Sequence, residues 1–251
     1  MKTPLQDWPH PLRLSSGFHA LSLVGLLLIS GCALLNKRPP YPDPDRLVSV
    51  VKVASAGEEP ILNADFLALR SESRTLESIA GYVLRDGVVS DGSEPERIRT
   101  ALIYADFFSA IGTRPVLGRA LVSQDGQAGG NRVAVISYDL WARRFGADPR
   151  MIGKTITLNQ EPYTIVGVMP ADFQFPKECG MWTPLPSDDE RLRLEDKSLE
   201  LEVIARLKPG VTLQQAQAEM SNIARKLERD HPATNIGRDI KLVPLRESRS
   251  K

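Results

Sequence analysis

The chain has 251 residues, of which 42% are hydrophobic and 25% are charged, values that are ordinary for a globular protein. Its net charge of +1 gives no electrostatic reason to expect a nucleic-acid partner. Of the two cysteines, Cys32 lies in an apolar segment, which argues against a disulfide with Cys179. Without that segment and the linker after it, roughly 200 residues remain, enough for one large domain or two small ones.

The longest uncharged stretch lies near the N-terminus and is centred on Ala20–Leu35. No Asp, Glu, Lys or Arg lies between Arg13 and Lys37. A helix of about 20 apolar residues crosses the hydrocarbon core of a bilayer, so this window is long enough to span one. We therefore predict a transmembrane helix or a lipoprotein signal over residues 20–36, after a cytoplasmic lead of residues 1–19.

Three interpretations of this segment stay open. The first, which we favour, is a single membrane-spanning helix. The second is a secretory signal whose exit, Ile29-Ser30-Gly31-Cys32, resembles a bacterial lipobox, so that cleavage before Cys32 would make this cysteine the site of lipid attachment. The third is a buried core helix, which an apolar run of this length disfavours. Basic residues flank the segment on both sides and do not settle its orientation.

A first α/β unit is predicted directly after a proline-rich linker. Residues 37–46 should be extended rather than helical, because proline fixes φ and lacks a backbone donor. Leu47–Val53 is rich in β-branched residues and predicts a strand. Asn63 is predicted to cap a helix whose apolar side chains continue to Leu76. A second strand is predicted at Arg97–Tyr104.

The central region predicts short elements, most of them strands. A short helix is expected at Asp106–Ile111, closed by the glycine that follows. The apolar run Val133–Ile136 predicts a buried strand, and Ser137–Gly146 predicts a helix with a serine cap and a glycine end. Thr155–Leu158 and Tyr163–Val168 predict a β-hairpin joined by the four residues between them.

A second α/β unit is predicted near the C-terminus. Leu199–Leu207 reads as a strand, and Thr212 and Gln215 have the spacing of a capping box at the start of a helix. Apolar residues then recur on one helical face as far as Leu227, and Ile240–Leu245 predicts the last strand. The pattern predicts an α+β protein with two similar βαβ units around an inserted, mostly β region.

Four stretches of the sequence occur in the order found in one known family. They are Tyr41–Leu47, Asn131–Gly146, Gly153–Pro170 and Arg206–Gln217. Each is weak alone, but together they resemble the MacB-like periplasmic core domain of FtsX/MacB-type ABC transporter permeases, in particular its acidobacterial-type members. The resemblance covers about residues 41–246.

The resemblance implies a MacB-like periplasmic core domain over residues 47–246, followed by a tail at 247–251. Its porter-like parts would lie at about 47–105 and 197–246, and the inserted, mostly β subdomain at about 106–196. It also implies an inner-membrane location with the bulk of the chain in the periplasm. The implied partners are a separate ABC ATPase, permease subunits or other envelope proteins.

In this family a first membrane helix precedes the domain and further helices follow it. Because the sequence stops at Lys251, we expect a truncated copy, a fragment of a split frame or a free-standing exported domain. The expected function is an extracytoplasmic interaction or coupling domain of the permease. The alternative is a stand-alone exported lipoprotein, attached through Cys32, that binds a ligand or an envelope partner.

The sequence carries no motif of catalysis or of cofactor binding. Gly126, Gly129 and Gly130 are not followed by Gly-Lys-Ser/Thr, so no phosphate-binding loop is predicted and any use of ATP belongs to a partner. The histidines lack metal-ligand spacing, and no G-x-S-x-G elbow is present. We therefore predict neither an enzyme nor a bound cofactor or metal.

Two weaker hypotheses concern side-chain clusters. Asp188-Asp189-Glu190 could supply carboxylates to an exported hydrolase, although adjacent acids in a charged loop are usually only solvated. Aromatic side chains crowd the inserted region, where core packing is the simpler interpretation and a docking patch the other. They are Trp141, Phe145, Tyr163, Phe173, Phe175 and Trp182.

Overall fold

The computed structural model describes residues 41–104, 106–127, 132–185 and 199–245. They contain twelve strands and five α-helices, which confirms the predicted α+β class. The strands are β1 Leu47–Ala54, β2 Gly57–Glu59, β3 Ile61–Leu62, β4 Leu76–Ser90, β5 Glu96–Ile103, β6 Leu117–Gly118, β7 Val133–Ile136, β8 Thr155–Leu158, β9 Glu161–Val168, β10 Cys179–Pro184, β11 Glu200–Leu207 and β12 Asp239–Pro244. The helices are α1 Asn63–Glu72, α2 Phe107–Ile111, α3 Tyr138–Phe145, α4 Leu213–Asp230 and α5 Pro232–Asn235.

Two interleaved βαβ units form one side of the sheet, in the strand order β12-β1-β11-β4. The first unit is β1-α1-β4 and the second is β11-α4-β12. All three neighbouring pairs are antiparallel, so the two strands of each unit are parallel and enclose one strand of the other unit. This is the split βαβ arrangement. The helices α1 and α4 cover one face, where Phe66, Leu69, Met220 and Ile223 pack on Val50, Val203 and Ala205.

The first unit differs from the prediction after its first strand. Helix α1 ends at Glu72, and Leu76 is the first residue of the 15-residue strand β4, which the sequence did not predict. Asn63 is the first residue of the helix and not its N-cap. The N-cap is Leu62, whose side chain makes no capping hydrogen bond. The Asn63 Oδ1 instead accepts a hydrogen bond from the Tyr104 hydroxyl at 2.6 Å. The predicted strand near Arg97–Tyr104 is β5, one strand later in the sheet.

The second half of β4 belongs to a ring of six paired strands, β4-β5-β10-β7-β9-β8, which closes because β8 pairs back onto β4. Closure removes the free edges that an open sheet would leave. One apolar cluster joins these strands and α3; its members include Val89, Ile98, Ile136, Leu140, Ile156, Leu158, Ile165 and Met181. The mostly β region is thus a small barrel that shares β4 with the split βαβ sheet.

Local signals in the centre of the sequence are confirmed. The Ser137 hydroxyl accepts a hydrogen bond from the Leu140 amide, and Gly146 ends α3 with a φ of 60°. The hairpin β8-β9 is also present, but its turn is shorter than predicted. Asn159 and Gln160, with φ of 50° and 70°, complete the turn alone, while the next two residues are already in β9.

The last unit matches its prediction closely. The Thr212 and Gln215 side chains each accept a hydrogen bond from the backbone N–H of the other residue, which is the predicted capping box. The buried face of α4 consists of Ala216, Met220, Ile223, Ala224 and Leu227.

The predicted membrane segment at 20–36 and the lead at 1–19 lie outside the described residues. Among the residues that are described, no helix combines the length and the apolar character needed to cross a bilayer.

Candidate functional site

The chain enters and leaves the described fold at one end of the sheet. Strands β1 and β12 are antiparallel neighbours, and Val48 at the start of β1 lies opposite Pro244 at the end of β12. One residue further out, the Leu245 amide donates a hydrogen bond to the Leu47 carbonyl at 2.9 Å. We use the word junction for this end of the fold: Tyr41–Leu47, the end of α2 at Ala110–Gly112, Arg206 and Leu245.

A buried arginine holds the junction together. Arg206 lies on β11, is only 5% exposed, and has no carboxylate partner among the described residues. Its Nε donates to the Ala110 carbonyl at 2.8 Å, and its Nη2 donates to the Ile111 carbonyl at 2.7 Å. Its Nη1 donates to the carbonyls of Pro42 and Asp43 at 3.0 and 3.4 Å. One guanidinium therefore connects the entering chain, α2 and the central sheet.

The end of α2 explains why an arginine is needed at this place. The last carbonyls of a helix have no partner within it. The amides of Gly112 and Thr113 satisfy the Phe108 carbonyl, while Arg206 satisfies those of Ala110 and Ile111. Gly112 has a φ of 82°, and a Cβ at this position would lie 3.1 Å from the Arg206 Nη2. Glycine thus allows both the helix end and the close approach of the guanidinium.

A second arginine fixes the segment before β1. The Arg46 Nε donates to the Leu207 carbonyl at 2.8 Å, and its guanidinium also pairs with Glu77 and Asp43. Burial, reinforced by the positive charge of Arg46, lowers the pKa of Arg206 from its ordinary value. The junction therefore contains two neighbouring arginines, one satisfied by backbone carbonyls and the other by one backbone carbonyl and two carboxylates.

Aromatic packing adds an apolar contact to the junction. The ring of Tyr41 meets that of Phe173 edge-on, with centroids 5.8 Å apart, and Phe173 in turn packs on Phe108 and Trp182. Burial raises the pKa of Tyr41 to about 12. The entering chain is thus part of the aromatic core between α2 and the barrel.

The predicted linker is therefore bound rather than extended at its end. Pro44–Arg46 form a 3-10 turn preceded by Asp43 with a φ of 45°. The prediction of a purely extended segment is wrong for these residues, because the hydrogen bonds of two arginines fix a turn that proline content alone does not indicate. Residues 37–40 lie outside the described part of the chain.

Of the side chains weighed from the sequence, Phe173 contacts the junction through Tyr41. Cys32 and the acidic run 188–190 fall outside the described residues. Gly126 ends a short 3-10 helix, and the described residues contain no group of three or more His, Cys, Asp or Glu side chains that could hold a metal ion. Phe173, Phe175 and Trp182 are buried, so they serve as core rather than as an exposed docking patch.

Sequence reasoning missed Arg206, because the strand pattern does not single it out. In the strand ELEVIARL, residues 200–207, Arg206 shares one face with Glu200, Glu202 and Ile204, because side chains alternate along a strand. Three of these four residues are charged, so the sequence predicts a solvated face although Arg206 is buried. Its partners Ala110 and Ile111 lie 96 and 95 residues earlier, so spacing alone could not identify them.

The fold is a split βαβ sheet joined to a small barrel, and the described fold begins and ends at one junction. The chain belongs to the family of the MacB-like periplasmic core domain, whose sequence profile it matches over residues 21–223. Among curated proteins, no sequence matches this chain.

Solved structures of the same fold come from transporter proteins. The periplasmic region of MacB from Actinobacillus actinomycetemcomitans aligns with a TM-score of 0.58 at 16% identity, over 78% of this chain and 87% of that one. The extracellular domain of the noncanonic ABC-type transporter YknZ, from Gram-positive bacteria, aligns with a TM-score of 0.58 at 15% identity, over 78% and 99%. A domain described as part of a permease protein from Porphyromonas gingivalis gives 0.60 at 18% identity, over 82% and 92%. At these identities the likeness describes the fold.

Proposed function

We propose that this chain is the extracytoplasmic coupling domain of a MacB/FtsX-type ABC transporter system. The apolar segment Ala20–Leu35 would hold it at the inner membrane, with the bulk of the chain in the periplasm. Its role would be to contact a permease, an ATPase subunit or another envelope protein, without catalysis of its own. The observation that carries this proposal is the junction, where the entering chain is bound to the body through Arg206.

The junction supports coupling because it holds the described part of the entering segment, residues 41–47, against the body. A segment that follows a membrane anchor and is not bound to the body transmits little force, since it behaves as a random coil or a spacer. Here the entering segment is tied to α2 and to β11, and β11 lies in the centre of the split βαβ sheet. A displacement transmitted to Pro42 and Asp43 would therefore reach the sheet and α2.

Cross-linking in native membranes tests the proposal. The full chain, with an affinity tag, is cross-linked and purified, and the captured proteins are identified by mass spectrometry. We expect an ABC ATPase or permease to be recovered with the native chain and to be depleted with Arg206→Met, while Arg150→Met, an exposed control, behaves like the native chain. Repeated capture without any ABC component would refute the proposal.

Location is tested separately with intact spheroplasts. Protease added outside should remove the body while leaving the cytoplasmic lead protected. Digestion of the body only after lysis would place it in the cytoplasm and refute an extracytoplasmic role.

The lipobox-like pattern at Ile29–Cys32 supports a second proposal, a lipoprotein attached through Cys32. Metabolic labelling with a fatty acid should then mark the native chain and not Cys32→Ala. An unprocessed, unlabelled chain in the membrane would reject lipid attachment and leave the membrane-spanning segment.

A further inference from the structure

The strands β4 and β11 separate where the split βαβ sheet meets the barrel, and a gap opens between them. Their pairing ends at Tyr82, which lies opposite Glu202. On the same side of β4, the next pairing is with β8 and begins only at Val89. Between these points β4 is paired with β5 alone among the described residues. The groove in this gap has a volume of about 420 Å³.

The backbone groups that face the gap can be identified from the alternation along each strand. The Gly81 carbonyl bonds to the Tyr104 amide on the β5 side, whereas the Val88 amide bonds to the Asn159 side chain on the gap side. Even-numbered residues of β4 therefore turn their N–H and C=O groups towards the gap.

The even-numbered residues of β11 also turn their backbone groups towards the gap. Glu202 faces Tyr82 across the last pair, so Glu200, two residues earlier, also faces the gap. The N–H groups of Leu84, Asp86 and Glu200 have no partner among the described residues. Within the part of the chain that the structure describes, the Leu84 carbonyl accepts only from the side chain of the adjacent Arg85, at 3.0 Å. Two open strand edges thus face each other, which is the arrangement that accepts an added strand.

The two faces of the gap differ in chemistry. Side chains of Asp86, Glu200 and Glu202 are exposed on one face, the face that also carries Tyr82. The other face carries Val83 and Leu201, which are buried in the apolar cluster beneath the helices, and the exposed Arg85 at its rim. A strand in the gap would present alternate side chains to these two faces. The complementary sequence is therefore one in which basic and apolar residues alternate.

We propose that the gap between β4 and β11 binds an extended segment of a partner protein, in which basic and apolar side chains alternate, by strand addition. The backbone edges supply affinity, and the carboxylates and the apolar face supply the sequence preference. This proposal does not depend on a transport role and would hold for an exported domain of any function.

Peptide binding to the full chain in detergent micelles tests the proposal. The probe is the capped peptide Lys-Val-Lys-Val-Lys-Val, and its controls are the block peptide Lys-Lys-Lys-Val-Val-Val and an alternating peptide with N-methyl groups on one edge. We expect only the first to bind, and its binding should slow hydrogen exchange of the Leu84, Asp86 and Glu200 amides by about tenfold or more. Equal binding of the block peptide would overturn the proposal.

Charge variants supply the matched comparison. Glu200→Lys combined with Glu202→Lys should weaken binding of the probe by about tenfold or more, while Asp230→Lys at the exposed end of α4 should change it less than about twofold. These side chains are exposed, so folding should be kept and can be checked by thermal unfolding. Slow exchange of the three amides before any peptide is added would show the gap already filled, by this chain or by a second copy, and would also overturn the proposal.

Discussion

Replacement of Arg206 by methionine is the most direct test of the junction. Methionine has a similar length and no donor, so the carbonyls of Ala110 and Ile111 lose their partners inside the protein. A hydrogen bond to a charged group contributes about 1.5–3 kcal/mol to stability, and a buried carbonyl left without a donor lowers the free energy of unfolding further. Burial of the charged guanidinium is itself unfavourable in the native protein, and its removal in the variant offsets part of this loss. We therefore expect Arg206→Met to lower the free energy of unfolding by about 2–4 kcal/mol.

Urea unfolding followed by tryptophan fluorescence measures this change, and hydrogen exchange locates it. The Gly112 and Thr113 amides, which bond to the Phe108 carbonyl, should exchange faster in Arg206→Met because the end of α2 is no longer held. Arg206→Lys should be intermediate, since an ammonium group lacks the planar fork that reaches several carbonyls at once. Arg150→Met, at a side chain 85% exposed, is the control and should leave the transition midpoint unchanged. Equal midpoints for Arg206→Met and Arg150→Met would refute the assigned role of the guanidinium.

Three further predictions concern groups away from the junction. At the outer edge of β12, the Leu242 N–H donates a hydrogen bond to the Gln217 Oε1 at 2.9 Å. Gln217→Leu should therefore speed hydrogen exchange of the Leu242 amide, lower the free energy of unfolding by about 1 kcal/mol and promote association, measured by light scattering. Slow exchange of this amide in the variant would contradict the prediction. The buried pair of Lys52 and Asp65 predicts a loss of about 3–5 kcal/mol for Lys52→Met alone and a smaller loss when Asp65→Leu is added, measured by urea unfolding, whereas simple additivity would contradict it. Burial of Glu219 opposes its ionisation, but its hydrogen bonds outweigh burial and lower its pKa. The stability that its carboxylate contributes should be complete above the ordinary pKa of glutamate and should disappear as pH falls through the lowered pKa. Glu219→Gln should therefore reduce the change of the free energy of unfolding with pH in this acid range.

The elements predicted correctly are those whose signals lie within a few residues. The cap at Ser137 and the capping box of Thr212 and Gln215 each satisfy backbone donors three residues away, so their spacing in the sequence is enough to predict them. The strand β4 was missed because residues such as Glu77 and Arg85 interrupt its apolar pattern. Its stability comes from β11 and β5 on either side, which lie far away in the sequence.

The candidate site was predicted less well than the fold, and the reason is physical. Buried polar groups are fixed by partners that the chain brings together only on folding. Lys52 sits in an apolar strand, and its partner Asp65 is 13 residues later on α1, a separation with no local signature. Arg206 is a stronger case, since its acceptors are backbone carbonyls, which every residue has and which sequence therefore cannot distinguish.

Both proposals concern β4 and its neighbour β11. As far as Tyr82, β4 pairs with β11, and from Tyr82 onwards it pairs with β5, so the two ladders overlap at Tyr82 in the described structure. Beyond Tyr82, Leu84 and Asp86 pair with β5 alone among the described residues. We therefore expect this part of β4 to bend most easily. A strand bound in the gap would add hydrogen bonds on the open side and stiffen the connection between the barrel and the split βαβ sheet. Strand β11 borders the gap at Glu200 and Glu202 and carries Arg206 four residues further along, so a partner bound in the gap would act on the strand that also holds the entering chain.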